Sequence, residues 1–298
     1  MTPVLFSVSY AGYWGQCRLG LVPFLEKAAA LGYSAVELTA KRPHLSILDF
    51  QDEESVVELR EIADRLGIQI VTLAGYTDFT AGRHAAEVPF VEMQIHYVRQ
   101  LVKLASVLGA KIIRVFSGYS TEQSEYQSDW NKCVAALREA AGVAADFGIT
   151  LGLQNHHDIG VSVEGFVELL DEVNHPNLKA MFDPWAVALQ GTSDIYDAAR
   201  RMAPRMVQTT LADYVRIDRF QYQPSLINYA KLDPPAARAV PLGEGFLPLD
   251  AFFSGLKDGG FDGYVAYEIC SPIRGGGGEM NLDAACRAAR ERILQWSV

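Results

Sequence analysis

A chain of 298 residues, 49% of them hydrophobic, is long enough to bury a large core in one big α/β domain or two ordinary ones. Its formal charge of −10 and pI of about 5.1 argue against nucleic acid or an anionic membrane as the main partner, because both select for a basic surface. Cys17, Cys133, Cys270 and Cys286 lie far apart without CxxC spacing, the start Met1-Thr2-Pro3-Val4-Leu5-Phe6 has no basic n-region, and no segment reaches the ~18 apolar residues of a membrane span, so free thiols in a cytoplasmic protein are expected.

Along the chain, short apolar segments rich in β-branched and aromatic residues alternate with longer segments of helical period. Strands are predicted at 5–9, 35–38, 69–73, 111–116, 150–153, 179–182, 206–211 and 263–267, with helices at 21–31, 53–66, 91–108, 129–147, 163–173, 195–202, 249–258 and 282–296. Several helices end in a shared joint, such as Leu-Gly-Tyr-Ser, Leu-Gly-Ala-Lys or Phe-Gly-Ile-Thr, where glycine caps the helix and a strand begins. Eight strand–helix units without a glycine-rich dinucleotide turn predict one α/β domain over residues 1–298, a closed (β/α)8 TIM barrel. The long stretch from about 215 to 245, after strand seven, is expected to be an irregular lid or binding loop.

Three strands end on groups that can do chemistry. The fifth runs into Gln154-Asn155-His156-His157-Asp158, the sixth into Asp183 and the eighth into Glu268. In a barrel the strand tips carry the site, so two carboxylates and an amide oxygen converge if each closes its strand in the same phase. Hard divalent cations want such oxygen ligands. For a lone acid, helix capping or an arginine partner is the commoner explanation; two acids ending strands six and eight of the same barrel favour a site.

Lys41 and His44, in Thr-Ala-Lys-Arg-Pro-His after strand two, form a cationic turn suited to hydroxyls, a carboxylate or a phosphate, with a solvated charge run as the bland alternative. Arg274 opens the glycine run beyond Glu268, which lacks the phosphate-loop pattern and its Lys. Tyr10, Tyr13, Trp14 and Trp185 cluster near strand tips, where aromatic faces stack on sugar C–H surfaces or simply pack.

The segments Leu-Gly-Leu-Gln-Asn-His-His, Phe-Asp-Pro-Trp, Thr-Leu-Ala-Asp-Tyr, Pro-Leu-Gly-Glu-Gly and Tyr-Glu-Ile-Cys-Ser-Pro resemble the xylose-isomerase-like sugar phosphate isomerases and epimerases. The resemblance spans nearly the whole chain. It implies a divalent metal (Mn, Mg, Co or Zn) held by a Glu, an Asp, a His or Gln, and a second Glu. Asp183 and Glu268 match the Asp and the second Glu; Gln154 stands where the family has its first Glu, and Thr210 where it has His or Gln. Arg216 resembles a substrate-binding arginine of family epimerases, and Glu37, inside strand two, matches an acid of the barrel mouth.

The activity implied is proton movement next to a carbonyl of a small sugar- or polyol-derived substrate. Glu268 is the expected base and His156 the expected partner acid, because Gln154 cannot take a proton. A one-base dehydration of a keto-inositol or keto-sugar, and a barrel that only binds sugar, are the alternatives. A small carbohydrate is the expected partner, with a homo-oligomer implied by the resemblance and neither nucleic acid nor membrane.

Overall fold

A computed structural model describes every residue except Arg83, His84, Ala86, Gln123 and Thr192, together with the backbone but not the side chain of Ile227. Eight parallel strands form a barrel: β1 (Thr2–Phe6), β2 (Ala35–Thr39), β3 (Gln69–Ala74), β4 (Ile112–Val115), β5 (Thr150–Gln154), β6 (Leu178–Met181), β7 (Gln208–Leu211) and β10 (Tyr264–Tyr267). Neighbours pair in the order β6-β5-β4-β3-β2-β1-β10-β7. A bridge between Ala180 and Met206, with Val207 N–H donating to the Ala180 carbonyl at 3.0 Å, closes the ring between β6 and β7. The structure is thus the single (β/α)8 barrel expected.

The surrounding helices are α1 (Leu21–Ala30), α2 (Glu53–Arg65), α3 (Phe90–Leu108), α4 (Tyr126–Ala145), α5 (Val163–Val173), α6 (Pro184–Gln190), α7 (Ile195–Met202), α8 (Leu249–Asp258) and α9 (Glu279–Ser297). Each turns an apolar stripe onto the barrel; α3 buries Ile95, Val98, Leu101, Val102, Leu104, Ala105 and Leu108, a helical spacing. It stops at Gly109, whose φ of 77° is left-handed, a conformation open to glycine without the Cβ clash. Among the described residues no helix is long and apolar enough to cross a membrane.

Below the strand tips the barrel floor is polar. Thr72 Oγ1 donates to Gln208 Oε1 at 2.6 Å, and Gln208 Nε2 donates to Glu37 Oε2 at 2.5 Å. Arg114 Nη1 lies 3.9 Å from Glu37 Oε1. All four side chains are buried, so each polar group needs a partner inside the barrel. The floor therefore ties β3, β7, β2 and β4 across the interior.

Two departures from the sequence reading concern the mouth. Residues 215–245 are not an irregular loop: most of them form an antiparallel hairpin of β8 (Asp213–Gln223) and β9 (Ile227–Val240). The short helix α6 was hidden because Phe-Asp-Pro-Trp reads as a strand end followed by a turn. Asp183 is its N-cap, accepting from Trp185 N–H at 3.1 Å, with Pro184 in the first turn, a favoured pairing.

Candidate active site at the strand tips

Gln154, the last residue of β5, donates from Nε2 to Asp183 Oδ2 at 2.8 Å. Asn155 grips the Asp183 backbone on both sides, accepting from its N–H at 2.7 Å and donating to its carbonyl at 3.1 Å. Glu268 follows β10 with its N–H on the Leu211 carbonyl, and its Oε1 accepts from Cys270 Sγ–H at 3.3 Å. Gln154 and Asp183 thus meet directly, and Asp183 lies within the electrostatic reach of Glu268.

Burial of these acids raises their proton affinity. Asp183 is pushed up to about 7 by burial, against the Gln154 hydrogen bond, with Glu268 adding repulsion. Glu37 is likewise pushed up to about 7 by burial, partly offset by the Arg114 guanidinium, with Glu268 again raising it. Burial also raises Glu268, and Arg114 opposes it. Several perturbed acids so close together are the pattern found at functional sites and in buried ionic networks alike.

Glu37 offers a direct check. Its folded pKa lies above its unfolded value, so the folded state holds the extra proton between about 4.5 and about 7 and stability falls as pH rises through that window. Glu37→Gln is expected to flatten the decline. Melting temperatures at pH 5, 6, 7 and 8 test this; an unchanged slope would show that Glu37 does not titrate as its burial dictates.

Arg114 is the charged residue beside these acids that sequence reasoning missed. It is buried in β4, with its guanidinium carbon 4.4 Å from the Phe116 ring centroid, 4.9 Å from Tyr76 and 5.2 Å from Phe6. Its Nε has no hydrogen-bond partner. The signal was present: a cation inside Ile112-Ile113-Arg114-Val115, at a buried strand position, is expensive unless it is used.

Lys41 Nζ sits 3.8 Å over the Tyr76 ring and 4.7 Å over Tyr13, and burial and Arg114 lower its pKa. Tyr13 donates its hydroxyl to the Arg42 carbonyl. One side of the mouth is therefore cationic and aromatic, the other acidic. His156 Nδ1 accepts from His157 N–H at 2.8 Å, which leaves any ring proton on Nε2. Burial and Arg114 lower its pKa to about 4, so the imidazole is neutral near pH 7.

A cavity of about 340 Å³ is lined by Tyr119, Asn155, His156, Asp183, Trp185 and Leu189, among others. Trp185 packs 4.1 Å from Tyr214 and 5.8 Å from Phe246, centroid to centroid.

Three expected binding residues have partners of their own in this structure. His44 is buried against Phe24, its Nε2 3.2 Å from the Leu19 carbonyl. Arg216 lies over the Phe246 ring at 4.6 Å, and Arg274 pairs with Glu244 at 3.0 Å. None of the three has a hydrogen bond or ion pair to Asp183 or Glu268 among the described contacts.

Gln154 Oε1 and Thr210 Oγ1 are buried without hydrogen-bond partners. With Asp183 and Glu268 they would offer a cation oxygen donors, the ligand chemistry that hard divalent ions take. Among the described residues there is no group of three or more His, Cys, Asp and Glu that could hold a metal ion. Two neutral oxygens stand in the set, so the fit is to a hard cation that keeps part of its water.

The family model for xylose isomerase-like TIM barrels matches residues 25–292. The chain belongs to that family. A similar family member is the D-psicose 3-epimerase of Ruminiclostridium cellulolyticum, 24% identical over 196 residues, 62% of this chain and 64% of that one. Another is the 3-dehydroshikimate dehydratase of Bacillus anthracis, 24% identical over 234 residues, 76% of this chain and 78% of that one. The chain spans only 55% of the length of a third relative, the uncharacterised protein MJ1311 of Methanocaldococcus jannaschii, at 25% identity over 169 residues. Among solved structures, the IolI protein with a bound zinc atom superposes with a TM-score of 0.75 at 17% identity, covering 100% of this chain and 98% of that one. This xylose isomerase-like barrel thus shares its fold with a metal-binding neighbour.

Proposed function

We propose that this xylose isomerase-like barrel is an enzyme, a sugar isomerase or epimerase in type, that removes a proton from carbon next to a carbonyl of a small sugar- or polyol-derived substrate. The observation that carries this reading is the opposition within one mouth of raised carboxylates, Asp183 and Glu268, to the Arg114 and Lys41 cations. Glu268 is the base. The neutral His156 donates a hydrogen bond from Nε2 to a substrate oxygen rather than delivering a proton as an imidazolium. Lys41, Tyr13 and Trp185 form the walls that bind hydroxyls and C–H faces. Asp183, Glu268, Gln154 and Thr210 would hold a divalent cation, which when bound supplies Lewis-acid polarisation of the carbonyl.

A second reading, dehydration by one base, is favoured by Gln154. Its amide cannot exchange a proton, and its Nε2 is committed to Asp183, so a symmetric pair of glutamate bases is absent from these tips. The similarity to a dehydratase agrees with this reading. Incubating the protein with a panel of keto-sugars and keto-inositols in D2O, followed by proton NMR, separates the outcomes. Exchange with a shifted carbonyl or an inverted centre supports the first reading, and loss of water the second. Finding neither exchange nor loss of water with any substrate, with or without Mn²⁺, would overturn both.

The donor set has its own test. Gln154→Glu adds a third carboxylate and is expected to raise Mn²⁺ affinity roughly tenfold or more, since ligand charge sets such affinities. Without metal the same change places two carboxylates together and should lower the melting temperature. Calorimetric titration and melting with and without Mn²⁺ measure both effects; unchanged affinity removes Gln154 from the donor set.

A further inference from the structure

The cavity of about 340 Å³ beside Asp183 is walled mainly by apolar and aromatic side chains. The short helix α6 contributes Trp185, Ala186 and Leu189, and the segments after β4 and β5 contribute Tyr119, His157 and Val161. His157 has a left-handed φ of 67°, a conformation that costs a residue with a Cβ free energy. Its ring lies 4.3 Å from Phe116 and 4.0 Å from Tyr119, centroid to centroid, so the strained turn adds an aromatic face to the wall. Tyr119 and Leu189 are 51% and 48% exposed, and apolar groups gathered on one concave surface mark a contact site.

The polar groups of the same wall are largely engaged within the protein. Asn155 holds the Asp183 backbone with both ends of its amide, and the Asp183 carboxylate accepts from Gln154 and from Trp185 N–H. Asp158 Oδ2 accepts from Ser120 N–H at 2.8 Å, and His156 Nδ1 from His157 N–H. A polyhydroxylated group entering here would find few of its hydroxyls matched, and each unmatched hydroxyl weakens binding. An apolar ring has no such cost and gains by leaving water. Size agrees: an apolar cavity of about 150 Å³ takes one benzene, so this one has room for a substituted ring. We propose that the cavity is a subsite for an aryl group carried by the substrate, seated between α6 and the Tyr119–His157 wall. The proposal deepens the functional reading above and rests on it for the reacting end of the substrate, which then lies toward Asp183 and Glu268. Occupancy of the subsite can be measured without turnover.

4-Methylphenol, which has no carbonyl to react, is the probe. NMR titration of the full chain is expected to give a saturable dissociation constant on the order of 1 mM. Ala186→Leu fills the cavity and Leu189→Asp sets a charge at its edge, and each should weaken binding about tenfold or more with an unchanged circular dichroism spectrum. Neither position is fully buried, and either variant serves if the other does not fold. A wild type without saturable binding, or binding that survives both substitutions in folded protein, would overturn the subsite. Deuterium exchange on a plain keto-sugar by a protein that ignores 4-methylphenol would sink the subsite and keep the functional reading; cavity-dependent binding without chemistry on any substrate would do the reverse.

Discussion

Glu268→Gln is expected to lower kcat by about 10²–10⁴-fold, the usual worth of a positioned general base, while the melting temperature holds or rises. The amide keeps the shape of the side chain and can still accept from Cys270 Sγ–H, the contact seen at 3.3 Å. It cannot take a proton. Removing the charge also relieves Glu37 and Asp183, both of which Glu268 pushes upward, so stability should not suffer. In the wild type, kcat/KM should rise with pH through a value above the usual carboxylate range, because burial holds the Glu268 proton on and only the ionised form acts as base. Rates on a substrate found by deuterium exchange test both points. Turnover near that of the wild type would take the role of base away from Glu268.

The largest loss of stability is expected at Asp213, which touches none of the proposed chemistry. Its Oδ1 accepts from Tyr214 N–H at 2.9 Å and Leu247 N–H at 3.3 Å, and its Oδ2 from Gly243 and Gly245 N–H, each at 2.9 Å. One buried carboxylate thus organises the hairpin root and the Pro-Leu-Gly-Glu-Gly loop. Charge-assisted bonds are worth about 1.5–3 kcal/mol each and a stranded buried N–H costs about 1–3, but such terms overlap. Asp213→Ala should therefore cost about 3–5 kcal/mol, a fall in melting temperature on the order of 10 °C. A Cβ on Gly245 would collide with the same carboxylate, so Gly245→Ala should fail in the same direction. A melting temperature for Asp213→Ala within a degree or two of the wild type would show that the nest is dispensable.

The barrel and its acid tips were legible because their causes are local. Alternating apolar runs set the strands, helical periodicity set the helices, and polar residues at the ends of buried runs stood out as Gln154, Asp183 and Glu268. Other features depend on contacts distant in sequence. Asp213 gains its meaning from N–H groups about thirty residues downstream, and Arg114 from the rings of Phe6 on β1 and Tyr76 just past β3. The hairpin was missed because Asp-Pro-Pro and Gln-Pro-Ser are turn signals, and prolines argue against a central strand. A free ribbon has outer edges, and there proline costs little.

The polar floor of Thr72, Gln208, Glu37 and Arg114 has a consequence for how such a protein can change over time. None of its hydrogen bonds is made to Gln154, Asp183, Thr210 or Glu268. Mutation can therefore exchange a donor at the rim, Glu for Gln or His for Thr, while the ties that hold opposite walls of the barrel stay in place. A lineage built on this architecture can change its rim without first surviving a collapse of its fold.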